Sequence, residues 1–141
     1  MRYTALSGRV LYALIFVLAS FGHFSQQTIA YAAAQGVPLA SIAVPFSGIL
    51  SLVGGLSVAA GYRARWGAWL LVAFLLPVTF MMHNFWSVTD PGAAQIQQVM
   101  FLKNIALIGA ALFIAYFGSG PLSLDNRTAD AREPVRVRSI A

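Results

Sequence analysis

From Val10 to Thr89 the chain runs in long apolar blocks, and its only formal charges in that stretch are Arg63 and Arg65. Few folds accept such a sequence. An apolar run of about 20 residues spans the hydrocarbon of a bilayer as a helix. Lipid offers no partners to backbone amides, so only helices or closed barrels cross it. The residue-by-residue alternation of a barrel strand is missing here. The composition points the same way. The chain is 59% hydrophobic and 9% charged, where a soluble domain carries about 25% charged residues. The expected fold is therefore all-α and integral to the membrane.

The apolar blocks divide into four spans, near 8–25, 41–61, 64–87 and 96–118. Their flanking charges orient them. Arg2 and Arg9 open the first span, Arg63 and Arg65 separate the second from the third, and Arg127, Arg132, Arg136 and Arg138 follow the fourth. The other two connections hold no Lys or Arg. A four-transmembrane-helix bundle with both termini cytoplasmic puts all these arginines on the cytoplasmic side. Tyr62, Trp66 and Tyr116 then suit the inner interface, and Trp86 the outer one. A cleaved signal peptide ending near "IAYAAAQG" fits less well, because an odd number of spans would strand the C-terminal arginines outside.

Residues 1–120 thus read as the transmembrane domain, and 121–141 as a basic, partly disordered cytoplasmic tail. The segment from Gln26 to Ala40 predicts a short helix at the outer surface, closed by Gly36 and Pro38. Pro45 is expected in the first turn of its span and Pro77 in mid-span, where it frees the carbonyl of Ala73. No cysteine is present, which excludes disulfides, thiolate metal sites and covalent haem attachment. The net charge of +5 belongs to topology rather than to nucleic acid, because the basic residues sit in short segments beside the spans.

Helical spacing gathers polar residues in the outer half of every span. Ser20, His23 and Gln27 share one face; Ser47, Ser51 and Gly54 another; Thr79, His83 and Trp86 a third; Gln97, Phe101 and Asn104 a fourth, with Lys103 beside it. Polar side chains within a membrane turn toward the bundle interior. The expectation is one polar pocket open to the outer side. Lys103 has no acid within any span, and the outer-facing helix N-termini add positive potential. An electron-rich ligand follows: a quinone carbonyl, a sulfur oxyanion or a lipid phosphate. The plainer alternatives are Lys103 paired with Asp90, His83 and Asn84 closing a helix end, and Ser47–Gly55 as a close-packing seam.

The segments "GRVLYALIFVLASFGHF", "LPVTFMMHNFW" and "FLKNIALIGAAL" together resemble the DoxX family of small four-helix bacterial inner-membrane proteins. The resemblance implies a multi-pass inner-membrane location and a quinone-linked redox role, as a subunit of an oxidoreductase. It places His83 and Lys103 in catalytic roles, bonding quinone oxygens. Asn84, Trp86 and Asn104, with His23 and Ser51 from the polar faces of the first two spans, are then expected around the bound quinone. The expected partners are the lipid bilayer and a partner redox subunit, and the Ser/Gly seam offers a face for a homo-oligomer. Two departures stand out: relatives commonly have Lys where this chain has His23, and Glu where it has Ser51. The alternatives are a non-catalytic membrane scaffold of a redox or stress-resistance complex and, with less support, a haem b protein ligated by His23 and His83.

Overall fold

The computed structural model describes residues 2–130, with backbone only at 129 and 130. Six α-helices and no strand occur among the described residues: α1 (Arg2–Ser20), α2 (Gln26–Ala34), α3 (Ala40–Ala60), α4 (Ala64–Met82), α5 (Pro91–Phe117) and α6 (Leu124–Asp130). Single 3-10 turns cover Phe21–Phe24 and Phe85–Ser87. Four segments are long and apolar enough to cross a membrane: Arg2–Phe24, Ala40–Ala60, Ala64–Ser87 and Pro91–Phe117. These are the four spans expected from sequence.

The differences lie at the ends. α5 begins five residues before the expected position 96. Asp90 caps it, its Oδ2 accepting from Ala93 N at 2.7 Å, and Pro91 supplies a first helical residue whose missing N–H costs nothing there. α3 begins at Ala40, so Pro45 falls in the second turn rather than the first. α4 continues through Pro77 as one helix to Met82. The short helix after the first span is α2, capped by Ser25, whose Oγ accepts from Thr28 N. It packs against the start of α3, where Ala32, Ala40 and Val44 form a small cluster.

Helix α3 is the centre of the bundle, packed between α1 and α4, and α4 in turn packs on α5. Its small residues allow this. A Cβ on Gly55 would meet Val17 Cγ2 at 3.0 Å and Phe16 Cβ at 3.2 Å on α1; a Cβ on Gly54 would meet Leu71 Cγ at 2.9 Å and Gly67 O at 3.0 Å on α4. Ser51, fully buried, donates to Phe16 O at 3.0 Å. The core of Ala13, Phe16, Val58, Ala68, Leu71, Phe74 and Leu75 fills the space around them. The Ser/Gly stripe is therefore consumed inside the bundle. An assembly of copies would need another face. Helices α1 and α5 meet sparsely; Tyr12 Oη donates to Leu107 O at 3.0 Å across the gap.

The end of the bundle that carries Arg9, the α3–α4 turn and the segment after α5 is called the arginine end below, and the opposite end the histidine end. Arg9 was expected only to set topology. It is 5% exposed and acts as a clamp. Its guanidinium donates to Ala59 O at the end of α3 (3.3 Å), to Ser119 O, and to Leu122 O (3.1 Å). Residues 121–130, assigned from sequence to the tail, fold onto the same place. Asp125 caps α4 across the turn, Oδ1 accepting from Arg63 N at 2.7 Å and Oδ2 from Ala64 N at 3.3 Å. Its own N–H donates to Gly61 O at 2.9 Å. Residues 131–141 of that tail lie outside the described residues.

Two outcomes follow. Gly54→Leu should lower stability in detergent by about 1–3 kcal/mol or more through overpacking. Gly109→Leu should leave it nearly unchanged, because a Cβ there meets nothing within 4 Å; thermal unfolding followed by circular dichroism measures both. Arg9→Met should cost roughly 2–4 kcal/mol, since it leaves three carbonyls without charged donors. It should also expose the 118–130 segment to limited proteolysis.

Candidate functional site

At the histidine end, α4 stops at Met82 and His83 leaves the helix with φ −125° and ψ 40°. Asn84 then starts the 3-10 turn, with Ser87 Oγ donating to Asn84 O at 2.9 Å. The turn reverses the chain into α5, so that Gln97 comes back beside His83. The His83 Nδ1 to Gln97 Oε1 distance is 2.8 Å. With the amide oxygen toward the ring, Nδ1 donates and Nε2 keeps its lone pair.

One turn further along the same face of α5, Phe101 is wrapped by aromatic rings. Phe80, Phe85 and Trp86 meet it edge-on at centroid distances of 5.4, 5.6 and 5.8 Å. Trp86 is 59% exposed, as suits a residue anchoring at the membrane interface. Below Phe101 on that face lies Asn104, only 3% exposed. Its carboxamide makes no hydrogen bond with any described residue. Every fully buried side-chain polar atom among the described residues does have a partner. The amide of Asn104 must therefore keep its polar edge on a small crevice in the α4–α5 seam. An amide so placed remains accessible to a water or a ligand.

The structure distributes the residues expected at the site over three places. His83, Asn84, Trp86 and Asn104 lie along the α4–α5 seam. His23 and Ser51 belong to the α1–α3 seam. His23 bonds Ala19 O through Nδ1 at 3.0 Å, and its ring meets Phe74 edge-on at 5.6 Å. It presses so closely on α3 that a Cβ on Gly48 would come within 2.7 Å of His23 Cβ. Phe74 precedes His83 by nine residues, roughly 13 Å of helical rise. The two imidazoles make no ring contact or hydrogen bond with each other: His23 bonds Ala19 O and meets Phe74, and His83 bonds Gln97. Lys103 is the third case. Its side chain is exposed on the flank of α5. Asp90, thirteen residues earlier and roughly 20 Å away along the helix, is engaged as the α5 cap. The ion pair given above as a plainer alternative for Lys103 does not form.

Two clefts, of about 500 and 440 Å³, lie at the arginine end, and not beside His83. At the histidine end the space expected for a wide pocket holds the aromatic cluster around Phe101. Gln97 is the functional neighbour that mattered more than expected; its place on the 97–101–104 stripe is the sequence signal that marks it.

The DoxX family profile matches residues 4–84. The chain is similar to the inner membrane protein YqjF of Escherichia coli K12, 31% identical over 123 residues that cover 85% of this chain and 88% of the relative. It is similar also to the inner membrane protein YphA of the same organism, 27% identical over 124 residues covering 86% and 88%. A more distant likeness, 24% identical over 82 residues, links 58% of the chain to 26% of the ER-derived vesicles protein ERV29 of Saccharomyces cerevisiae. No solved structure matches the chain.

Proposed function

The chain belongs to the DoxX family and is a multi-pass inner-membrane protein, and from that premise we propose that it serves as a quinone-linked subunit of a membrane oxidoreductase, with the quinone head held in the α4–α5 seam at the histidine end. The observation that carries this reading is Asn104: a carboxamide 3% exposed that makes no hydrogen bond with a described residue. A carbonyl oxygen is the complement of its N–H₂ group.

The neighbouring groups fit the same ligand. Gln97 fixes the His83 ring through Nδ1, which leaves Nε2 as the ring atom that faces the ligand and can exchange a proton with it. Phe85, Trp86 and Phe101 supply aromatic faces at interface depth. Lys103, on the exposed flank one residue from Asn104, meets a ligand arriving sideways from the bilayer and attracts its oxygens. A bound quinone supplies a two-electron, two-proton couple. The chain carries no flavin or dinucleotide motif, so a partner subunit or a soluble donor must provide the electrons. Ser51 and His23 hold α1 to α3 and reach the ligand only through the packing of the bundle.

The test is extraction of the purified protein with organic solvent, followed by mass spectrometry. Wild type should retain quinone near one per chain. His83→Ala and Asn104→Leu should each lower retention by about tenfold or more, the effect of losing one strong contact, with helicity unchanged. Lipid alone in the wild-type extract would remove the redox reading and favour a non-catalytic scaffold.

A further inference from the structure

We propose that the cleft at the arginine end, between the α3–α4 turn and the 118–121 segment, is a specific site for the phosphate of an anionic glycerophospholipid. The cleft encloses about 500 Å³. It shares no residue with the crevice around His83 and Asn104.

The argument begins with unspent donors. Arg9, at the same end, has all of its guanidinium nitrogens on carbonyls. Arg63 and Arg65 line the cleft, and neither guanidinium makes a hydrogen bond or an ion pair with a described residue. Arg63 lies 5.8 Å from the centre of the Tyr62 ring, a contact that leaves its N–H edges available. The acid in the cleft wall is Asp125, and both of its oxygens already accept from backbone amides, those of Arg63 and Ala64. Formally, two positive charges face one negative charge that is occupied. The backbone N–H groups of Ser119 and Gly120, also in the wall, donate to no acceptor among the described residues.

The wall is shaped to bring these donors together. Gly118 has φ +85°, a conformation that side chains rarely adopt, and a Cβ there would come within 3.3 Å of Arg65 Nε. Glycine at 118 lets the chain turn tightly against the guanidinium. Arginine presents planar pairs of N–H groups that match two phosphate oxygens at once.

The other half of the lining says why the phosphate belongs to a lipid. Trp66 and Phe117 line the same cleft and are 72% and 68% exposed. Beside them, Tyr62 and Tyr116 are also exposed, completing an aromatic band at interface depth. A free anion has no use for these rings. A glycerophospholipid places its phosphate on the arginines and its glycerol and first methylenes against the indole and phenyl faces. Arginine-rich ends of membrane proteins face the anionic leaflet, so the ligand is abundant where the cleft opens.

Native mass spectrometry of the full chain in detergent, titrated with phosphatidylglycerol, tests this. Wild type should hold one phosphatidylglycerol and prefer it to phosphatidylcholine by about tenfold or more. Arg65→Gln should reduce that affinity by about tenfold, and Arg63→Gln by a similar factor. Arg127→Gln removes an equal charge from an exposed position outside the cleft and should change it by less than about twofold. Neither Arg65 nor Arg127 bonds a described residue through its side chain, so circular dichroism should find both variants folded. Equal losses in Arg65→Gln and Arg127→Gln would reveal diffuse surface charge and overturn the proposal. Equal binding of phosphatidylcholine would overturn it as well. Displacement of the lipid by inorganic phosphate in modest excess would overturn the lipid assignment in favour of a free-anion site. Quinone retention should be unaffected by Arg65→Gln, which keeps this result separate from the reading of the His83 crevice.

Discussion

The buried guanidinium of Arg9 is the contact on which the arginine end depends. A charged group inside a membrane helix is costly unless it is fully bonded. Here it is bonded to carbonyls that themselves need donors: the end of α3 and the loop that follows α5. Each side solves the other's problem. The result ties three parts of the chain, far apart in sequence, at one point. Gly61 makes this approach feasible, since a Cβ there would lie 2.9 Å from Arg9 Cζ and 2.5 Å from Ser123 Cβ. With the loop so held, Asp125 can reach across to cap α4. The cleft that carries Arg63 and Arg65 exists because this clamp fixes its far wall.

Close packing governs the middle of the bundle. Gly54 and Gly55 point to opposite neighbours, so α3 approaches α4 and α1 at once. Such small-residue contacts replace the hydrophobic driving force that lipid does not provide. The same tightness decides where a ligand can sit. The α1–α3 and α3–α4 seams are filled by side chains and backbone, whereas Asn104 on α5 makes no side-chain hydrogen bond with a described residue.

Much of this fold is legible in the sequence, because hydrocarbon thickness and arginine placement are strong, local signals. The four spans and the helix after the first of them follow from apolar runs and from Gly36. The early start of α5 was also written there, in Asp90 and Pro91, but a polar first two turns hid it. The clamp was not legible. Arg9 looks like any flanking arginine until the loop after α5 is seen to return to it, and that contact joins residues 110 apart. The site was half legible: the 97–101–104 stripe and the His83 turn are local patterns. Helical periodicity could not show that His23 leaves α1 in a 3-10 turn and sinks against Gly48, nor that the exposed flank of α5 would take Lys103.

The placement of His23 and Ser51 gives meaning to the two departures from the family pattern. Gly48 touches His23, and Ser51 lies one turn further along α3 on the same α1-facing side. The resemblance implies Lys and Glu at these positions in relatives, where an ion pair would sit in the α1–α3 seam. Here the seam is held by the Ser51 hydroxyl donating to Phe16 O and by the close packing of His23 against Gly48. Replacing a buried pair by both partners at once avoids the penalty of leaving one charge alone. The exchange is therefore compatible with an intact bundle, and it removes the carboxylate from the seam that is already closed. Of the other ionisable groups toward the histidine end, His83 lies beside Gln97 of α5 and Lys103 is exposed on the flank of α5.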